Sequence, residues 1–207
     1  MKRKPIFAIV AALALVTGCT TIMSDADVTK KALVVIKSSF RANGQAKLDR
    51  LDQDELQATC SQYETPDKLP KDVARRLEEG QLKTVKYPAD GQLLGDWKAG
   101  EAIAQSGTGK QFNDDPSRPS GANCYACHQL TPQEVAFGTI GPSLLGFGKL
   151  RGNSEEIRKY AFAKVYNSQA FSACSTMPRF GHNGILTEQQ IKDVVALLLD
   201  PASPVNK

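Results

Sequence analysis

Cys124-Tyr125-Ala126-Cys127-His128 is the stretch around which the chain is organised. It is C-x-x-C-H, the spacing of a c-type haem attachment site. Two thiols add across the two vinyl groups of a haem, and the adjacent imidazole binds the iron. On a helix, positions three and four residues apart share a face, so Cys124, Cys127 and His128 would all point at one porphyrin edge. A zinc knuckle and a redox dithiol are the rival readings. Structural zinc takes four ligands, and a second Cys pair is missing. A thioredoxin-like dithiol belongs beside a βαβ pattern, and none is visible.

The 207 residues suffice for one domain of ordinary size plus an extension. With 41% hydrophobic and 23% charged residues the chain reads as globular rather than disordered. It starts as a targeting segment. Lys2, Arg3 and Lys4 precede an apolar run over residues 6–16 that is too short to span a bilayer. Val16-Thr17-Gly18-Cys19 then resembles a bacterial lipobox. In that class cleavage falls before Cys19, whose thiol is lipidated, and acyl chains anchor a protein without making it span. An ordinary signal peptide cut near Ser24 is the alternative. Residues 1–18 are therefore expected to be a signal peptide and the periplasm the destination. Of 26 basic and 22 acidic residues, three basic ones fall in residues 1–18, which leaves 23 against 22 from Cys19 onward. That balance gives nucleic acid binding no support.

Export also decides the cysteine arithmetic. The five are Cys19, Cys60, Cys124, Cys127 and Cys174. Lipid takes one and haem two, so Cys60 and Cys174 remain in a compartment that favours disulfides. They are expected to pair and to tie the N-terminal part to the haem domain; two free thiols are the alternative. In the chain-entropy account, closing a loop of about a hundred residues is worth roughly 4–5 kcal/mol.

The rest of the chain reads as helices and loops. Val28, Ala32, Val35, Ile36 and Phe40 lie at helical spacing among Lys30, Lys31 and Lys37. Asn43-Gly44 interrupts, and Leu48, Leu51, Leu56 and Cys60 continue an amphipathic pattern whose acids, Asp49, Asp52, Asp54 and Glu55, read as a solvated surface. Pro66 and Pro70 mark a turn, a second helical run covers residues 72–82, and residues 87–91 form a turn by composition. The expected organisation is a helical extension over residues 19–90 and a haem domain over residues 91–203. Residues 95–104 look like the first helix of a class I cytochrome c. Residues 107–122 are rich in Gly, Pro, Asp, Asn and Ser and form a loop. Asn153, with Glu156 three residues on, reads as an N-cap, and Thr187 with Gln190 as a capping box. Asp200-Pro201 stops the last helix. No strand pattern appears, so the expected class is all-α.

Two further positions concern the iron. Gly141-Pro142 resembles the proximal loop of class I cytochromes c, where the Pro carbonyl accepts the hydrogen bond of the ligand His and so fixes its tautomer. Pro142 is the candidate, a plain turn the alternative. For the second axial ligand the candidates are Met177, in Met177-Pro178, and His182, the only other His. Met177 is favoured, since Met-Pro before the last helix resembles the distal ligand of that class. Met/His ligation saturates the iron and raises its potential relative to nitrogen ligation.

Together these segments resemble the monohaem subunit, SoxX, of the sulfur-oxidising SoxAX cytochromes. The resemblance rests on Ala46-Lys47-Leu48-Asp49-Arg50-Leu51 with Cys60-Ser61, on Gly95-Asp96-Trp97-Lys98-Ala99-Gly100-Glu101, and on Gly138-Thr139-Ile140-Gly141-Pro142-Ser143-Leu144. It continues in Lys164-Val165-Tyr166-Asn167 and Met177-Pro178-Arg179-Phe180-Gly181. The resemblance implies a class I cytochrome c fold and one covalent haem c. Cys124 and Cys127 would be its attachments, His128 the proximal and Met177 the distal ligand. It implies a SoxA-like haem subunit as partner in an L-cysteine S-thiosulfotransferase, which joins thiosulfate to a cysteine of the carrier SoxYZ. The SoxX-like subunit takes the released electrons and passes them to a soluble cytochrome c. No catalytic residue carries over, because the family's lies on the other subunit. The lipobox departs from the family's usual soluble form. A generic periplasmic monohaem electron carrier, and a haem enzyme or sensor with a labile distal ligand, are the alternative functions. The face that meets the partner stays open; Arg179 and Phe180, which Met177 places near the haem edge, and residues 107–122 are candidates.

Overall fold

The computed structural model describes residues 24–207, which fall into two units divided between Phe40 and Arg41. The described part of the first unit is one helix, α1 (Asp25–Ser39). Ser24 caps it, its hydroxyl accepting from the Asp27 N–H at 3.2 Å. Asp25 and Asp27 lie in the first turn, where the helix dipole favours negative charge. None of its residues is buried. The lipobox and Cys19 lie outside the described residues.

The second unit, Arg41–Lys207, holds α2 (Glu55–Cys60), α3 (Lys71–Leu82), α4 (Trp97–Gln105), α5 (Phe147–Arg151), α6 (Glu155–Tyr166) and α7 (Glu188–Leu199). The fold is all-α, as the sequence indicates; among the described residues the only extended pairing is an isolated bridge between Asn43 and Ala46. The core is built on α7. Its nine residues from Ile191 to Leu199 are all buried, because apolar side chains occupy nearly every position after the Thr187–Gln190 capping box. α4 lies across it. A side chain at Gly100 would overlap the Asp193 carbonyl, so glycine lets the two helix backbones meet. The crossing is pinned where the Asp96 N–H donates to Asp193 Oδ1 at 2.9 Å and the Gly95 N–H to the Lys192 carbonyl at 3.0 Å. Phe162 of α6 is fully buried beside them.

Residues 41–90 belong to the same unit as the haem-motif segment, so the boundary expected near residue 90 falls inside it. Cys60 and Cys174 form a disulfide across 114 positions of sequence. Arg50 donates to the Lys110 carbonyl at 2.8 Å and Gln45 to the Gln111 carbonyl at 2.8 Å, which holds residues 107–122 as an ordered loop.

Three local expectations need correction. The haem motif does not lie on an α-helix; Cys124–Ala126 is a single 3₁₀ turn entered through Asn123 at φ +47°. The N-cap of α6 is Ser154, not Asn153, whose Oδ1 instead accepts from Arg158 Nε at 2.7 Å. α5 was not expected at all, since five residues between Gly146 and Gly152 show no period.

Candidate haem site

The proximal side is assembled by backbone. Residues 138–144 run alongside the motif and are joined to it by three hydrogen bonds of 2.8 Å each. The Gly138, Gly141 and Leu144 N–H groups donate to the carbonyls of Tyr125, Cys127 and Gln129. Tyr125 is buried under this clamp, and Leu130 beyond it is 1% exposed. His128 Nδ1 donates to the Pro142 carbonyl at 2.7 Å. A carbonyl can only accept, so this bond puts the ring proton on Nδ1 and leaves the Nε2 lone pair free for a metal. Gly141 lies flat against the imidazole; a Cβ there would overlap the ring. Sequence reading singled out Pro142 for its carbonyl but did not see that its glycine neighbour is needed for ring clearance.

Neither motif cysteine is in a disulfide. Burial pushes the Cys124 thiol up to about 12, so at neutral pH it is protonated and a poor nucleophile. Among the described residues no three His, Cys, Asp or Glu side chains converge as a metal-binding group.

The segment around Met177, the expected distal ligand, is held by side chains, many of them from residues 41–90. Met177 is half-buried against the core. Its carbonyl accepts from the Ser168 hydroxyl at 2.5 Å, and its N–H donates to Ser175 Oγ at 3.2 Å. Asn167, fully buried, donates to Gln81 Oε1 and to Thr84 Oγ1, each at 2.9 Å. The Ala173 N–H donates to Glu78 Oε1 at 3.1 Å, next to the disulfide at Cys174. Arg179 Nη2 pairs with Asp54 Oδ2 at 2.6 Å. His182, the other ligand candidate, hydrogen-bonds Thr84 Oγ1 through Nδ1 at 3.2 Å.

Charges follow this layout. Burial raises the Asp54 carboxyl, but the Gln57 N–H and the Arg179 guanidinium outweigh it and hold the group below the usual carboxylate range. Burial, helped by Arg179, lowers His182 from its ordinary value while Asp54 works the other way. His182 is therefore neutral at pH 7.

Two expectations change here. Arg179 and Phe180 are 6% and 7% exposed, so they are not a partner-facing surface. Asp54 is no idle member of a solvated acidic face, because it caps α2 and pairs with Arg179. The sequence signal for the cap was Asp54-x-x-Gln57.

The residues suit a haem c. They include two unpaired thiols, an imidazole with one nitrogen committed, and a thioether whose backbone is fixed by Ser168 and Ser175. Gln169 Oε1 and Arg179 Nη1, both in the distal segment, are buried without a hydrogen-bond partner among the described residues. Such orphans are costly, and polar atoms on a bound group would relieve them.

Residues 108–200 match the cytochrome c family. This segment is a monohaem cytochrome c domain with covalently bound haem c, and the protein is an electron-transfer cytochrome. The chain is 40% identical over 158 residues to an uncharacterized lipoprotein of Aquifex aeolicus, covering 75% of this chain and 73% of that one, and it belongs to the same family as that protein.

Proposed function

We propose that this cytochrome is a lipid-anchored, SoxX-like electron-transfer subunit serving a thiosulfate-oxidising partner. Cys124 and Cys127 would hold the haem covalently, and His128 Nε2 and the Met177 sulfur would ligate its iron. Bound there, haem supplies a one-electron couple. The protein's part is to keep the couple fast and its site closed. The His128–Pro142 bond fixes the ligand tautomer and strengthens nitrogen donation. Ser168 and Ser175 hold the backbone of Met177 so that its sulfur need not be recruited at each turnover. The buried wall of Leu130, Phe162 and Phe180 keeps water out and limits the rearrangement that accompanies a change of charge.

The observation that carries the reading is the union of two segments on which the resemblance rests. Met177-Pro178-Arg179-Phe180-Gly181 folds onto Lys164-Val165-Tyr166-Asn167. The Gly181 and His182 N–H groups both donate to the Tyr166 carbonyl at 3.0 Å, and Gly181 lies flush on the Tyr166 ring. A shared sequence motif thus coincides with one packed piece of distal wall. The lipid anchor is supported by the lipobox at Cys19 and by kinship with a lipoprotein.

The chemistry assigned to the partner balances simply. A carrier thiol and thiosulfate form a sulfur–sulfur bond, release one proton from the thiol and give up two electrons. This chain accepts the electrons one at a time. Purification of the full-length protein from its native membrane tests the proposal. A second haem protein should accompany it, and thiosulfate with a thiol-bearing carrier should reduce this haem only when that partner is present. A solitary monomer, reduced equally well without it, would contradict the reading and leave a general electron carrier.

A further inference from the structure

α1 has a two-sided surface that the electron-transfer reading does not use. At 100° per residue, Val35, Val28, Ala32, Ile36 and Leu33 occupy an arc of about 160°, which Thr29 shares in mid-helix and Asp25 and Ser39 share at the two ends. Val28 is 51% exposed and Val35 61%. Lys31 borders the arc on one side and Lys30 and Lys37 on the other, with Asp27 and Ser38 behind; Val34 is the one apolar residue on that back. Lysines on both edges of an apolar stripe suit a helix lying in a bilayer interface, where the stems follow the acyl boundary and the ammonium groups reach the headgroups.

We infer that α1 lies along the membrane surface, its Val28–Val35 face in the acyl boundary and its lysines on anionic phospholipid headgroups. Two facts of the chain favour lipid over a protein groove as the occupant. Cys19, the expected acylation site, is only six residues before Asp25, so the helix begins where the membrane is. From Cys19 to Arg41 there are four basic residues against two acidic ones, the sign that anionic headgroups attract. The inference rests in part on the lipid-anchor reading. It adds that residues 25–39 are held on the bilayer rather than forming part of a free tether, which from Cys19 to Arg41 could extend roughly 70–80 Å.

The test uses full-length holoprotein in phosphatidylcholine vesicles containing phosphatidylglycerol. A nitroxide is attached at Val35→Cys in one sample and at Lys30→Cys in another, with an unchanged haem spectrum as the check on folding. The Val35→Cys label should relax faster with dissolved oxygen than with a water-soluble nickel chelate, and the Lys30→Cys label should do the reverse. Equal chelate access at both positions would overturn the inference. The mass of the N-terminal peptide separates this from the anchor reading. A lipidated Cys19 with both labels in water defeats the helix alone. An unmodified Cys19 with the Val35→Cys label still shielded by vesicles defeats the anchor alone. The pair Val28→Asp and Val35→Asp should return a label at Ala32→Cys to water, and a label still shielded there would count against the inference.

Discussion

On the proposed ligation, the two sides of the haem site are built by different means. The proximal side is local: residues 125–129 and 138–144 clamp each other through backbone hydrogen bonds, and His128 reaches Pro142 only 14 positions away. The distal side is remote. Residues 167–182 are held by Asp54, Cys60, Glu78, Gln81 and Thr84, all contributed from more than eighty positions earlier in the chain. Backbone clamps tolerate substitution of their acceptor residues, because every residue carries a carbonyl, although Gly138 and Gly141 leave no room for a side chain. Side-chain braces do not. The distal ligand should therefore be the fragile half of the site, and the extension serves to hold it.

Replacing both Cys60 and Cys174 with Ser is the strongest way to break this contrast. The loop they close is long enough for roughly 4–5 kcal/mol of unfolded-state entropy. Chemical denaturation of the holoprotein should show a loss approaching that size. The Met–iron signal should vanish at lower denaturant than the His–iron signal. Simultaneous loss of both would mean that the two sides are not independently held.

Asp54→Ala comes next. It leaves the Arg179 guanidinium buried without its partner, and because Asp54 itself is partly exposed the cost should be about 1–3 kcal/mol rather than the full value of a buried pair. Its pH signature has a definite sign. The native carboxyl lies below its unfolded value, so its contribution is full above the unfolded pKa and is lost as pH falls through the native one. Acid titration of stability should be shallower in Asp54→Ala than in the parent; identical curves would remove the ion pair from the account.

Gly141→Ala sharpens the comparison from the other side. The added methyl must displace the imidazole, for a cost of about 1–3 kcal/mol. Its mark should be a shifted potential and a changed His128 ring resonance, with the Met–iron signal retained. The smallest effect is expected at Thr84→Val, about 1 kcal/mol, which frees His182 and one Asn167 bond together.

The same division explains what the sequence could reveal. Local chemistry was legible. The Thr187–Gln190 capping box, the Pro142 acceptor and the loop over residues 107–122 each depend on neighbours a few positions apart. The Cys60–Cys174 pairing was reachable because export and haem left only two thiols. Contacts over long separations with no such arithmetic were not legible. Asp54 looks in sequence like Asp49 or Asp52, and only the fold shows that it meets Arg179. Arg179 was a candidate for the partner-facing side because Met177 places it near the haem edge, and its burial against Asp54 is visible only in the fold. The 3₁₀ turn at Cys124–Ala126 was read as α-helix because side-chain spacing alone does not separate the two; the left-handed Asn123 that sets the entry is visible only in the backbone.

The central claim is a closed site, with His128 on one side and Met177 on the other. The near-infrared absorption of the ferric holoprotein tests it most directly, since Met-ligated ferric haem has a weak band there that other ligation lacks. The band should be present in the parent and absent from Met177→Ala, in which haem remains covalently attached and the ferrous iron gains rapid carbon monoxide binding. A parent without the band, or a Met177→Ala variant that keeps it, would contradict the account.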